Sequence, residues 1–275
     1  MRRILLIAGN IFRGLLSKRA LYVWAGAVLL MLLRSGPAIF LRDPNRPQLA
    51  AFLRANAIAA SLDSWAMLAI AAAIFLGAAS VGGEKTHKTI STMLARPVRR
   101  WELLVGHWLG VTLFSLCSLA IGLVLALALA VYMGISIDGS RAAMALAQTT
   151  GGIMLFAAVG IALGANVSVA IAASLTVLLV FTPPLVRILR DDAKPWQHYS
   201  GVVLDYVTPP GYLSHYQGIT WADLPPAGNQ PGPRFQRPTI DYDAARTTLA
   251  TNLGYALVYF AIGAIVFARR DVTLG

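Results

Sequence analysis

Leu103–Met133 reads LLVGHWLGVTLFSLCSLAIGLVLALALAVYM, a run without a single Asp, Glu, Lys or Arg. A hydrocarbon core of about 30 Å is crossed by roughly 20 helical residues at about 1.5 Å each, so this run spans a membrane with length left for tilt or protrusion. Working outward, comparable apolar runs recur at Ala20–Phe40, Ser64–Gly82, Ala142–Leu163, Ser168–Val186 and Thr247–Ala268. The composition agrees: 57% of the 275 residues are hydrophobic, 13% are charged and the mean hydropathy is +0.65. Average soluble domains are roughly 45–50% apolar and about 25% charged. A disordered chain, a collagen-like fibre, a disulfide scaffold and an ordinary cytosolic enzyme are thereby excluded. The single cysteine, Cys117, lies within the quoted run and reads as a packing residue, so neither an intrachain disulfide nor a cysteine metal cage can form. The fold class is an all-α polytopic membrane protein with six transmembrane helices.

Ahead of the first span, Met1–Arg19 reads as an amphipathic basic helix. Ile4, Ala8, Ile11, Phe12 and Leu15 recur at helical spacing, and Arg2, Arg3, Arg13, Lys18 and Arg19 fill the remainder. A signal peptide would need a longer apolar stretch than Arg13 permits, whereas an interfacial helix on the cytoplasmic leaflet accommodates it. The net charge of +11 would suggest nucleic acid in a soluble protein; in a membrane protein it follows from the positive-inside rule. With the N-terminus inside, residues 1–19, 83–102, 164–167 and 269–275 hold 12 Lys/Arg in 50 residues, against 11 in 98 for residues 34–63, 134–141 and 187–246. Both termini are therefore expected in the cytoplasm of a bacterial cell with the chain in its inner membrane, and no nucleic-acid partner is expected. Arg34, within the first span, must snorkel outward or face protein. Residues 1–19 form the lead-in helix and 20–275 a single transmembrane domain with a cytoplasmic loop at 83–102 and a long outer segment at 187–246. The outer segment carries Pro195, Pro209, Pro210, Pro225, Pro226, Pro231, Pro233 and Pro238 interleaved with Trp196, Tyr199, Tyr206, Tyr212, Tyr216 and Trp221. It reads as short packed pieces at the outer face followed by a mobile stretch at Pro225–Pro238.

The cytoplasmic loop is the most informative stretch. Glu84 and Thr86 suit a helix start, Ile90, Met93, Leu94 and Pro97 form an apolar stripe, and Arg96, Arg99 and Arg100 follow. Pro97 closes that helix and Trp101 sits at the interface as the next span begins. A topology-setting basic loop would need only the charges; the stripe adds a ridge offered to a cytoplasmic partner.

These residues resemble the permease subunits of type-2 ABC exporters. That family carries a glutamate, a Gly-Thr, an aliphatic run, a Leu-Ser-Arg-Pro-Val-like step, an arginine and a Leu-x-x-Gly-Lys closure. Here the matching positions are Glu84, Thr89, Ile90, Leu94, Arg96, Pro97, Val98, Arg100, Leu104 and Gly106, with Lys88 in place of the usual Gly and His107 in place of the usual Lys. Phe267-Ala268-Arg269-Arg270-Asp271-Val272 is similar to the family's terminal pattern, and Met1–Arg19 to its lead-in helix. The resemblance implies an ATP-driven exporter, without a catalytic or metal site of its own. A cytoplasmic ABC ATPase dimer binds the ATP and Mg, and a second permease copy or paralogue completes the complex. It also implies that Glu84, Thr89, Ile90, Met93, Leu94, Arg96, Pro97 and Arg100 form the ATPase-coupling contacts. Permeases of multicopper and nitrous-oxide-reductase maturation and of drug export are similar as well. The maturation systems suggest an alternative: a membrane anchor or mechanical transmitter through which the ATPase acts on an extracytoplasmic protein at residues 187–246.

Other classes find less support. The nearest approach to a phosphate-binding loop, Gly77 to Gly82 followed by Lys85 and Thr86, displaces the lysine and follows a spanning helix rather than a strand. A gradient-driven carrier wants ionisable groups at depth. Apart from Arg34 the spans hold none, Asp63 and Glu102 lying at boundaries and His107 near the inner interface; Gln148, Thr149, Thr150 and Asn252 are their notable polar residues. His198, His215, Asp205, the pair Asp191 and Asp192, and the pair Asp241 and Asp243 read as surface groups. Ser118, Gly122, Ala126 and Ala130, with Gly160 and Gly164, form small-residue faces that pack helices either within one chain or across a subunit interface.

Overall fold

The computed structural model describes residues 2–16, 25–26, 29, 47–86, 99–191 and 242–269. Within them the regular elements are six helices: α1 (Arg2–Leu15), α2 (Pro47–Thr86), α3 (Arg100–Met133), α4 (Gly139–Gly164), α5 (Val169–Asp191) and α6 (Tyr242–Arg269). Four stretches are long and apolar enough to cross a membrane: Leu53–Gly82, Arg100–Met133, Gly139–Gly164 and Ala245–Arg269. α5 contributes a shorter apolar stretch, Val169–Thr182. Of the expected first span, Ala20–Phe40, only Ala25, Gly26 and Leu29 are described, and residues 192–241 of the outer segment lie outside the described residues.

α2 departs most from the expected bounds. It starts at Pro47 rather than near Ser64 and runs 40 residues, about 60 Å at the α-helical rise. Asp63 therefore lies inside the helix instead of at its end. Ala55, Ile58, Ala59 and Leu62 explain the extension: they sit on one helical face and are buried. Proline at the first helical position loses nothing, because that N–H has no intrahelical acceptor.

The turns have local causes. Glu102 accepts the Arg99 backbone N–H at 3.0 Å and puts a carboxylate at the positive end of α3. At the other end Gly134 adopts φ 66°, its N–H donating to Ala130 and Val131 carbonyls, while Ile135 N–H donates to Ala130 O at 2.9 Å. This left-handed closure suits glycine. Asp138 then caps α4 through the Ser140 and Arg141 amides.

α4 is the hub, packed most extensively against α2 and α6, while α2 also lies along α3 and α1 rests on α3. Alanines and glycines line the α2–α4 seam. A methyl placed on Gly77 would meet Ala157 O at 3.2 Å, one on Gly160 would meet Ile74 O at 3.0 Å, and one on Gly164 would meet Ala78 O at 2.4 Å. Backbones this close replace the hydrophobic effect, which is absent between helices in lipid, with dense van der Waals contact. The outward faces carry the large apolar side chains instead: Leu113, Val124 and Val131 on α3, Leu178 and Phe181 on α5, Leu257 and Ile262 on α6.

Candidate functional site

The end of the bundle where α2 closes and α3 opens carries the loop that the sequence singled out. Glu84 lies in the last turn of α2, where the structure describes the backbone; Thr89, Ile90, Met93, Leu94, Arg96 and Pro97 lie outside the described residues. Arg100 is the member of that set whose side chain is placed. It is the first residue of α3, and its Nη1 donates to Ala268 O at 3.0 Å and to Phe267 O at 3.4 Å. Those carbonyls belong to the last turn of α6, the negative end of its dipole, so a guanidinium there satisfies acceptors that the helix itself leaves open. The loop's exit is thus fastened to the C-terminal end of the last helix. Sequence reasoning gave Arg100 to a partner and did not find this bond, because nothing in the spacing of residues 100 and 267–268 signals it.

Two more contacts stiffen the same end. α1 lies against the first half of α3, where methyls on Gly106 and Gly110 would meet Ile7 Cγ2 at 2.5 Å and Ile11 Cγ2 at 2.9 Å. Phe12 meets Phe114 edge-on, centroids 6.5 Å apart. Ala8 is buried in that seam while Leu5 and Leu6 are exposed, so α1 is apolar on two sides. Trp108 Nε1 donates to Met154 O at 3.0 Å on α4 while its ring lies 5.7 Å from that of Phe260 on α6. His107 is buried with Nδ1 at 2.9 Å from Leu103 O. The start of α3 is therefore held by α1, α4 and α6 together.

The small-residue faces occupy the interior of this chain. Ser118, Gly122, Ala126 and Ala130 are all buried. A methyl on Gly122 would fall 2.3 Å from Trp65 Cγ, so the glycine makes a recess for the indole of α2. Gly160 and Gly164 seat α2 as described above. On α6, Gly263 receives Ala162 of α4, and Asn166 Nδ2 donates to Ala162 O at 2.8 Å and to Gly263 O at 3.4 Å. Gln148 and Thr149 of α4 and Asn252 of α6 are buried. Among the described residues no three metal-ligating side chains converge.

At the opposite end of α3, the half-buried Asp138 forms a cap. The Ser140 hydroxyl donates to its Oδ1 at 2.6 Å, the Ser140 amide at 3.0 Å and the Arg141 amide at 3.3 Å, and Arg141 Nε lies 3.1 Å from Oδ2. The Ser140 hydroxyl first, then the Arg141 amide, holds the carboxyl below its ordinary value of 3.8.

A family model described as "ABC-2 family transporter protein" matches residues 44–272, which takes in every helix from α2 to α6. A search of curated proteins gives no match.

Proposed function

The chain belongs to the ABC-2 family of transporter proteins, as a multi-pass membrane permease subunit, and from that premise we propose that it serves an ATP-driven exporter of the bacterial inner membrane. In this reading two permease subunits, identical or paralogous, work with a cytoplasmic ABC ATPase dimer that binds ATP and Mg. The chain in this reading crosses the membrane six times, with both termini and residues 83–102 on the ATPase side. Residues Ile90, Met93 and Leu94 offer the apolar ridge, with Glu84, Thr89, Arg96 and Pro97 around it. Arg100 carries the reading furthest: its bonds to Phe267 and Ala268 tie the loop to α6. A partner can shift a two-state membrane element only through contacts that differ between its states, and a fastened loop transmits such contacts while a slack one does not.

Met93→Asp or Arg96→Glu is expected to abolish co-purification of the ATPase subunit while membrane insertion stays at the parent level. Undiminished co-purification from both variants overturns the assignment. Cargo movement in reconstituted vesicles separates export from mechanical transmission to an extracytoplasmic partner at residues 187–246: a transmitter hydrolyses ATP there without moving cargo.

A further inference from the structure

α1 has three different sides, separated by the helical spacing of its residues. Ile4, Ala8, Ile11 and Leu15 form the side turned to α3, and none of them is exposed. Leu5 and Leu16, three turns apart on one flank, are exposed. Arg3, Leu6, Asn10 and Arg13 follow one another at intervals of three and four residues along the outward side, and all four are exposed. This row carries an arginine at each end, about 15 Å apart along the axis, and is bordered by leucines. Arg2, Arg3, Arg13, Lys18 and Arg19 all precede the first acidic residue of the chain, Asp43.

The depth of the row follows from its charge. An exposed arginine is expensive among acyl chains, so Arg13 belongs at the level of the headgroups. Phe12 beside it meets Phe114 edge-on, which puts that level at Phe114 of α3. From Phe114, the roughly 20 residues that cross about 30 Å of hydrocarbon end at Met133, next to the turn at Gly134. The outer surface of α3 agrees: no residue from Glu102 to Thr112 is exposed, and from Leu113 onward large apolar side chains face outward. Leu16, one turn beyond Phe12, thus stands where the acyl chains begin.

We propose that the outward side of α1 is a binding surface for anionic phospholipid, with Arg3 and Arg13 each taking a headgroup phosphate and Leu5 and Leu16 bordering the acyl chains. A guanidinium donates to phosphate oxygens in pairs. Phosphatidylcholine carries the same phosphate with its own cation beside it, so lipids whose headgroup charge is not cancelled internally are preferred. The surface does not depend on the exporter reading and stands or falls separately from it.

The test uses the full chain in nanodiscs of phosphatidylcholine alone and of phosphatidylcholine mixed with phosphatidylglycerol. After mild extraction, native mass spectrometry should find phosphatidylglycerol retained in preference to phosphatidylcholine. One arginine near an anionic surface is worth about fivefold in binding, so Arg13→Gln should lower that retention by this factor. Arg13→Lys should keep it, as should Arg246→Gln at the opposite end of the molecule. In the parent, backbone amides of Arg2–Leu15 should exchange hydrogen more slowly when phosphatidylglycerol is present, while those of α4 do not change. Equal retention of the two lipids, or the same loss in Arg13→Gln and Arg246→Gln, overturns the proposal. So does protection of α1 that is the same in both lipids and rises when two copies share a disc, since a second copy then covers this side. If Arg13→Gln fails to insert, the exchange of the parent in the two lipids decides.

Discussion

A methyl group on Gly164 would sit 2.4 Å from the carbonyl oxygen of Ala78, and that oxygen belongs to a helix backbone that cannot rotate away. Gly164→Ala should therefore push α2 from α4 and lower stability by about 1–3 kcal/mol, the usual range for overpacking. Gly160→Ala, with 3.0 Å to Ile74 O, should cost less, and Gly254→Ala, with nothing within 4 Å, should be neutral or slightly stabilising. Thermal unfolding in detergent ranks the three; equal melting temperatures would remove the seam from the account. The glycine spacing in α4 was legible in the sequence. Its partner was not, since Ala78 is one alanine among many. Trp65 likewise carries no sign that Gly122 is cut away to receive its ring. Asp138 gives a pH-dependent prediction at the same scale. Its carboxyl is held below 3.8 in the folded chain, so its contribution is complete above the unfolded value and disappears as the pH falls through the lowered folded one. Asp138→Ala should lose about 1 kcal/mol at neutral pH, as a removed N-cap does, and show a shallower acid limb. Acid titration followed by helix content checks both.

Among the elements, α1 and α2 show how pattern reading succeeds and fails. The stripe Ile4, Ala8, Ile11 and Leu15 marked α1 as a helix from spacing alone. Its acceptor could not be read, because an apolar stripe is equally suited to lipid and to another helix. The structure sets that side on α3 at Gly106 and Gly110, leaving Leu5 and Leu6 exposed for the bilayer interface. For α2, Asp63 reads in the sequence as a boundary residue, and the buried face of Ala55, Ile58, Ala59 and Leu62 carries the helix past it. A single charged residue does not stop a helix whose other faces are packed. Docking of α1 is open to a direct test. Gly110→Val would drive a branched side chain towards Ala8 O, which a methyl there would already meet at 3.0 Å. Backbone amides of Arg2–Leu15 should then exchange hydrogen faster, while those of α4 keep the parent rate. Unchanged exchange in α1 would show that α3 is not its support.

For the whole molecule, α2 and α3 exceed the thickness they have to cross. At the α-helical rise the 34 residues of α3 extend about 51 Å, against about 30 Å of hydrocarbon. Length therefore does not fix where the membrane lies, and the charge distribution has to. Arg99 and Arg100 stand at the start of α3, the end against which α1 packs and where Arg100 binds α6; the turn from Gly134 to Asp138 and the Asp138 cap mark the other end. If the positive-inside rule governs this chain, the first end faces the cytoplasm. Two glycines permit a labelling test without disturbing the packing, since a side chain at Gly14 or Gly139 meets nothing within 4 Å. Cys117 is exposed rather than packed in the core as its apolar surroundings suggested; in a Cys117→Ala background, which removes that thiol, Gly139→Cys should react with a membrane-impermeant maleimide on intact cells. Gly14→Cys should react only after the membrane is opened. The reverse order would put residues 83–102 outside, away from any cytoplasmic ATPase, and with it the coupling assignment to Ile90, Met93 and Leu94 would fall. Labelling as expected leaves the one end that carries the loop, the α1 seam and the Arg100 clasp facing the cytoplasm, the side from which the proposed ATPase would have to act.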